Sequence, residues 1–412
     1  MSKKKKDKVK YSRLYLVLAV IVVISWGVVP GMAGAVLNQP TTNVKPLEVG
    51  PNAMAFYINL IATIALGIFI HFNKMWPQFK IFRGKVLLYA LIVGSIWPGL
   101  NALTYFKSCS EDRAGPTLTT ILNYSWPIFY FLALFFINYF CRKKEESENP
   151  KQEDKEKPRS ILVIWRVTIF VLVASAIILS AIYSGTPIEI LQKEGAWKPI
   201  IDFLNAPTTK AITLSGLAFG LIAGATQGVF NAADDKFTSL TKPNNQSIED
   251  YKLSEDSKPD PVIMTFAMEA LTTIMTFIAL VFFSNETFWP FDLINNFGPG
   301  IKSFLLVFFI GAISNGIGFT IFILSNDLAG GYYKKTENGN KQLINYKDAQ
   351  IVNRRRGIRV AILCATPIVA MIAIPLFNSE TDFSNVFYLP IAILVVALFM
   401  LKFEDKLFPS KN

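Results

Sequence analysis

Histidine is nearly missing from this chain, and cysteine is scarce. One His and three Cys among 412 residues leave no ligand set for a zinc site. Cys109, Cys141 and Cys364 stand far apart and form no redox pair, and His71 alone cannot serve a catalytic triad. A phosphate-binding glycine loop, a carboxylate pair within one apolar run and a nucleophile beside a base are all missing too. The sequence therefore reads as a non-enzyme with no cofactor and no metal. Charge is also in short supply: 17% of residues are charged, against about 25% in a soluble domain. Hydrophobic residues make up 52%. That balance predicts an all-α polytopic membrane protein. The net charge of +11 does not point to nucleic acid, because the basic residues sit between apolar runs and not along one face.

Ten apolar runs are long enough to be membrane spans, each needing roughly 20 residues. Their limits are 14–37, 51–72, 84–106, 114–141, 160–183, 210–233, 261–284, 301–325, 358–377 and 384–401. The basic start, Lys3 to Lys10, precedes a run too long for a signal-peptide core. Most of the 41 Lys and Arg fall in alternate connectors, and the connectors 285–300 and 378–383 hold none. By the positive-inside rule both termini are then cytoplasmic. The expected layout is a basic tail 1–13, a first five-helix repeat 14–183 with a cytoplasmic loop 142–159, and an outer connector 184–209. A second five-helix repeat 210–403 with cytoplasmic insertions 234–260 and 326–357 follows, then a tail 404–412. Within the outer connector, 188–204 with Trp197 suits a helix lying on the membrane surface. Arg354-Arg355-Arg356 suits an anchor at anionic headgroups.

The chain is organised around Ile121-Leu122-Asn123-Tyr124-Ser125-Trp126-Pro127 in the fourth run. A proline, an amide and two aromatics at mid-depth are costly unless they face a packed or watered interior. Ile362-Leu363-Cys364-Ala365-Thr366-Pro367 echoes it in the ninth run, and Ser25-Trp26-Gly27 in the first is echoed by Thr226-Gln227-Gly228 in the sixth. Five spans is an odd number, so the second half would enter from the opposite side: two inverted repeats, with a site between them.

These motifs, with Ala55-Phe56-Tyr57 in the second span and no arginine nearby, resemble the drug/metabolite transporter superfamily (EamA-like), and most closely its aromatic amino-acid exporter branch. The resemblance covers nearly all ten spans but not the three cytoplasmic insertions. It implies a central pocket among the first spans and their repeat partners, and export of small metabolites.

Candidate pocket residues follow. Trp26, Tyr57, Trp97, Tyr124 and Trp126 could wall a cavity for a flat apolar solute; ordinary helix packing is the competing account. Trp97-Pro98-Gly99 would also break the third helix. Asn101, Asn123, Gln227, Asn231 and Asn315 are amides at intramembrane depth, able to hold a zwitterionic head group or to bond helix to helix. Glu269 is the carboxylate well inside a span: a proton-coupling group, a partner for a substrate ammonium, or the partner of a cation such as Arg166. Pro127 and Pro367 are the expected helix breaks, and Asp234 and Asp235 read as a solvated helix end. The partners implied are a small-molecule solute and the lipid bilayer, with a homodimer left open; the simplest location is the cytoplasmic membrane. A phosphorylated or nucleotide-linked solute is disfavoured because Arg166 alone is basic away from the extreme ends of the runs. A scaffold or sensor acting through the long cytoplasmic loops is the alternative of another class.

Overall fold

The computed structural model describes residues 13–37, 49–110, 114–126, 214–240, 259–335, 341–345, 365–377 and 388–407, with short pieces within 128–137, 168–201 and 355–363. Six helical segments among them are long and apolar enough to cross a membrane: Leu14–Leu37, Pro51–Phe72, Val86–Cys109, Ser215–Asp234, Pro261–Phe283 and Phe297–Gly330. We divide the chain into α1 (Leu14–Gly27), α2 (Val29–Leu37), α3 (Pro51–Phe72), α4 (Gly84–Gly94), α5 (Asn101–Cys109) and α6 (Gly115–Asn123). The remaining helices are α7 (Leu214–Leu240), α8 (Pro261–Phe283), α9 (Phe297–Phe309), α10 (Phe319–Gly330), α11 (Thr366–Phe377) and α12 (Tyr388–Leu407). Most of the fifth span and of the outer connector, with the surface helix expected there, lie outside the described residues.

The helices are apolar outward and mixed inward, the reverse of a soluble bundle. On α8 the buried stripe carries Thr265, Met268, Glu269, Thr272 and Thr276, while Ile274, Phe277, Ile278, Val281 and Phe282 are exposed. On α1 the exposed row is Val17, Val20, Ile21 and Ile24, at helical spacing. Apolar faces turned outward on several long helices are what a multi-pass membrane protein presents to lipid. The buried hydroxyls bond back to carbonyls three or four residues earlier, as Thr265 does to Pro261 and Thr276 to Thr272, both at 2.8 Å. This satisfies them without a partner helix.

Among the described residues, two spans contain π-helical turns. Between α4 and α5, Ser95–Leu100 forms a π-helical turn holding Pro98. The expected break at Trp97-Pro98-Gly99 is therefore a widened turn inside a continuing span, which ends at Cys109 and not at 106. Between α9 and α10, Ile310–Gly318 is a second π-helical stretch. That span runs from Phe297 to Gly330 and is longer than the expected 301–325 at both ends. Its extra last turn holds because Ser325, Asn326 and Asp327 are buried in the bundle. After it, the insertion opens with an antiparallel hairpin, β1 (Gly331–Lys335) on β2 (Lys341–Asn345), pairing Gly331 with Asn345 and Lys335 with Lys341. Among the described residues this is the departure from an all-helical chain.

The packing order fixes where the interior is. Helix α3 lies along α8 and along the second π stretch. Helix α8 in turn lies along α4 and the first π turn. Helix α7 packs on α5 and α6, while α1 packs on α10 and α11, and α2 on α11. Several crossings are close enough to require glycine; a Cβ at Gly311, for one, would stand 2.6 Å from the Ile58 carbonyl oxygen. A Cβ at Gly31 would stand 2.6 Å from the Ala373 carbonyl oxygen, and one at Gly228 would stand 2.6 Å from the Trp126 carbonyl oxygen. Backbone cannot retreat as a flexible side chain can, so these positions set the helix separation.

Candidate functional site

The two break motifs of the sequence adopt the same local geometry. Helix α6 stops at Asn123. The Tyr124 N–H still reaches Thr120 at 2.9 Å, then Ser125 and Ile128 bond three residues back, to Leu122 and Ser125, at 3.2 and 3.0 Å. In the ninth span Ala365 bonds to Ile362 at 2.9 Å and Ile368 to Ala365 at 3.0 Å, again three back. The Ser125 hydroxyl donates to the Leu122 carbonyl at 2.6 Å, and the Thr366 hydroxyl to the Leu363 carbonyl at 2.6 Å. Pro127 itself lies outside the described residues. Pro367 does not bend a helix as expected. It occupies the first turn of α11, where a missing N–H costs nothing; the break comes just before it.

Around these breaks the candidate residues fall into groups. The first is aromatic. Trp97 stacks on Phe230 with ring centroids 4.4 Å apart and stands 5.9 Å from Trp26, which stacks on Phe322 at 5.0 Å. Phe319 closes the group at 4.4 Å from Trp97. The rings come from α1, the first π turn, α7 and α10, so elements of both halves of the chain meet here. Trp26 Nε1 donates to the Ser314 carbonyl at 3.1 Å, and the Ser314 hydroxyl donates to the Ser25 carbonyl at 2.9 Å. Trp97 Nε1 is buried with no hydrogen-bond partner, and so is the Ser25 hydroxyl. An unpaired buried N–H costs roughly 1–3 kcal/mol.

The second group is the amides. Asn101 Nδ2 donates to the Ala223 carbonyl at 2.7 Å and points at Asn123 Oδ1 at 3.4 Å and Thr226 Oγ1 at 3.5 Å. Asn231 turns back on its own helix and donates to the Gln227 carbonyl at 2.9 Å. Gln227 is buried on the same helix, one turn before it. Asn315 is on the other side, donating to Asn59 Oδ1 at 3.3 Å. Asn101, Asn123 and Thr226 are thus gathered at one helix junction, whereas Gln227 is joined to Asn231, and Asn315 to Asn59, outside that contact set. Tyr124 and Trp126 are buried on the fourth span, with Trp126 edge-on to Tyr130 at 6.2 Å.

Glu269 sits at the centre of the buried stripe of α8, 1% exposed, and its Oε2 has no hydrogen-bond partner. Its neighbours on the stripe reach both flanking helices: the Thr272 hydroxyl donates to the Gly94 carbonyl at 3.1 Å, and Thr273 pairs with Thr63 at 3.0 Å. Arg166, its suggested partner, lies outside the described residues.

Tyr57 stands apart from these groups. Its hydroxyl donates to the Phe288 carbonyl at 2.8 Å, and its ring packs edge-on against Trp289 and Phe291. From α3 it packs against the connector after α8. That connector holds a residue the sequence did not single out. The Glu286 carboxylate accepts from the Asn52 N–H at 3.1 Å, Asn52 Nδ2 at 2.5 Å and the Ala53 N–H at 2.7 Å.

The other surprise is at the opposite end of the bundle. Asp234 is no solvated helix end. It is 3% exposed and accepts from Tyr89 Oη at 3.1 Å and from Asn326 Nδ2 at 2.6 Å. Arg359, 4% exposed, donates to Ser325 Oγ at 2.7 Å, Asn326 Oδ1 at 3.4 Å and the Phe322 carbonyl at 3.0 Å, with its guanidinium 4.2 Å from the centre of the Phe322 ring. Asp234 was read as a solvated helix end, and Arg359, the second residue of the ninth run, was not singled out. The helical spacing of Phe319, Phe322, Ile323 and Asn326 is the signal that α10 continues inward on that face.

No family model matches the chain, and no curated protein does. Solved structures do match. One of them, described only as a crystal structure of a protein, is 12% identical, covers 96% of this chain and 99% of its own, and superposes at a TM-score of 0.48.

Proposed function

We propose that this protein is a secondary transporter that exports or exchanges small metabolites, amino acids or related amphipathic compounds, by alternating access. The observation that carries the reading is the way the packing maps onto itself. Exchange the first span with the sixth, the second with the seventh, the third with the eighth and the fourth with the ninth. The pair α3 with the second π stretch becomes α8 with the first π turn; α7 with α5 becomes α1 with α10; α7 with α6 becomes α1 with α11. Helix α3 on α8 maps to itself. The glycine crossings obey the same exchange, as do the paired breaks at Ser125 and Thr366. This supports two five-helix halves of opposite orientation, ten spans in all, and membership in the drug/metabolite transporter superfamily. Rocking such halves about their shared axis opens a central site to one side at a time.

The proposed site is the aromatic group with the Asn101–Asn123–Thr226 junction beside it. Stacked rings suit the apolar part of the solute, and the unpaired Trp97 N–H is a donor left for it. Glu269 is the acidic element, for a proton or for a solute ammonium. The end bearing Arg13, Lys74, Arg83, Arg355 and Arg356 is the cytoplasmic one in this reading.

Counterflow in proteoliposomes tests it. Vesicles loaded with unlabelled amino acids should take up labelled phenylalanine, tryptophan or threonine, and uptake should fall at least tenfold in Asn123→Ala and Trp126→Ala, the scale of a lost 1.4 kcal/mol. Uptake of a sugar phosphate alone would move the protein to the phosphorylated-metabolite reading. No uptake of any solute by folded protein would overturn the transport reading in favour of a scaffold.

A further inference from the structure

We infer that Glu286 and the Asp234–Asn326–Arg359 set are two latches, one at each end of the bundle, and that this conformation has both engaged. The inference rests on the two-halves reading above but needs no knowledge of the solute.

The first latch joins the halves at the end away from the basic tail. Helix α3 begins at Pro51 behind Gly50, which has no side chain to cap it. The first N–H groups of a helix need an acceptor, and a negative charge there is favoured by the helix dipole. Glu286 supplies both, from a connector 234 residues further along the chain. Gly50 is required for the approach, since a Cβ there would overlap the Glu286 carboxylate. The contrast with α8 is informative. Its start, Asp260-Pro261, is capped by the Asp260 side chain, which accepts from the Val262 N–H at 2.9 Å. One helix of the symmetric pair caps itself, whereas the other is capped across the interface between the halves. Tyr57 reinforces the same contact by donating to Phe288. Any motion that parts α3 from the connector after α8 must leave the start of α3 uncapped.

The second latch lies at the basic end. Asn326 stands between two buried charges, donating to Asp234 and accepting from Arg359. Tyr89, from the first half, also donates to Asp234. Four spans therefore meet in it: the third, sixth, eighth and ninth. Arg359 also lies on the Phe322 ring whose far neighbour is Trp26. It covers the basic-side face of the aromatic group. Parting these spans exposes Asp234 and Arg359 to water, which solvates both charges and so makes an open state accessible.

Thiol labelling tests this without any solute. In a chain lacking Cys109, Cys141 and Cys364, place one reporter at mid-depth, Asn101→Cys. Apply a membrane-impermeant thiol reagent to one face of the membrane at a time. Glu286→Ala should speed labelling from the face of the 50/286 end about fivefold and leave the other face unchanged. Arg359→Ala should do the reverse. Equal acceleration from both faces, or no change in variants that unfold at the parental temperature, would overturn the inference. The pair Asn52→Cys with Glu286→Cys gives an arm in which a disulfide stands in for the lost contact. Oxidation should stop labelling from that face, and a reductant should restore it; labelling indifferent to oxidation also overturns the inference. Latch-dependent labelling in a protein without counterflow would sink the transport reading and leave the latches standing.

Discussion

At the scale of single residues, the interior contains polar atoms that packing alone does not explain. Trp97 Nε1 is the clearest. Its ring is held on Phe230, so the N–H could have been spared by a phenylalanine. Trp97→Phe keeps an aromatic ring and removes the unpaired donor. Thermal unfolding in detergent should show the variant as stable as the parent or up to about 1 kcal/mol more stable, since an orphan N–H is lost. Counterflow should fall if that N–H serves the solute. A strongly destabilised variant would mean that the indole is simply a core residue. Glu269→Gln poses the matching question for coupling. It keeps the shape and removes the titration, so a pH-driven flux should vanish while solute binding persists. A flux whose pH dependence is unchanged would rule Glu269 out as the proton carrier.

At the scale of elements, the close crossings carry the prediction. Gly31 on α2 and Gly228 on α7 each bring a neighbouring carbonyl to within 2.6 Å of where a Cβ would stand. Gly31→Ala and Gly228→Ala should each cost about 1–3 kcal/mol, the range of overpacked sites. Gly84, where a Cβ would meet nothing, is the comparison in space, although its φ of +49° makes a substitution there strained for backbone reasons. Unfolding midpoints of Gly31→Ala and Gly228→Ala that match the parent would show that the helices can separate freely. How much of this was legible in the sequence differs by element. Long apolar runs announced α3, α8 and the first span to within a residue, because lipid demands length and hydrophobicity and little else. The proline breaks were read less well: Pro127 lies outside the described residues, and Pro367, expected to bend a helix, sits in the first turn of α11. The last turn of α10 was not legible, since its Asn326 and Asp327 look like loop residues until Arg359, more than thirty positions later, is brought against them. Glu286 was missed on the same grounds. A helix cap made by a distant residue leaves no local trace, and Tyr57, read as a pocket wall from its motif, proved to be that cap's companion.

At the scale of the whole molecule, the basic end carries an insertion whose two roots are both latch residues. Asn326 precedes the hairpin and Arg359 follows it, and Arg355 ties the end of the insertion to the bundle by donating to the Leu328 carbonyl at 2.9 Å while lying 4.5 Å from the Tyr15 ring. Removing 331–353 and bridging the gap with a short flexible linker leaves those residues in place. A transporter built this way should keep most of its flux, measured by counterflow. A scaffold that works through its loops should lose its cellular role with the insertion while its spans stay folded.

The cap on α3 also orders the birth of the molecule. As the ribosome delivers the chain, the second span enters the membrane long before residue 286 exists, so its first turn must wait with bare N–H groups facing the headgroups. The first half is then incomplete by itself in a definite, local way. Expressed alone, it should be degraded or frayed at Asn52; expressed beside a separate second half split in the 241–258 connector, it should be rescued, and Glu286→Ala in that second piece should weaken the rescue. What holds the finished protein shut at one end is what its first half lacks until the second is made.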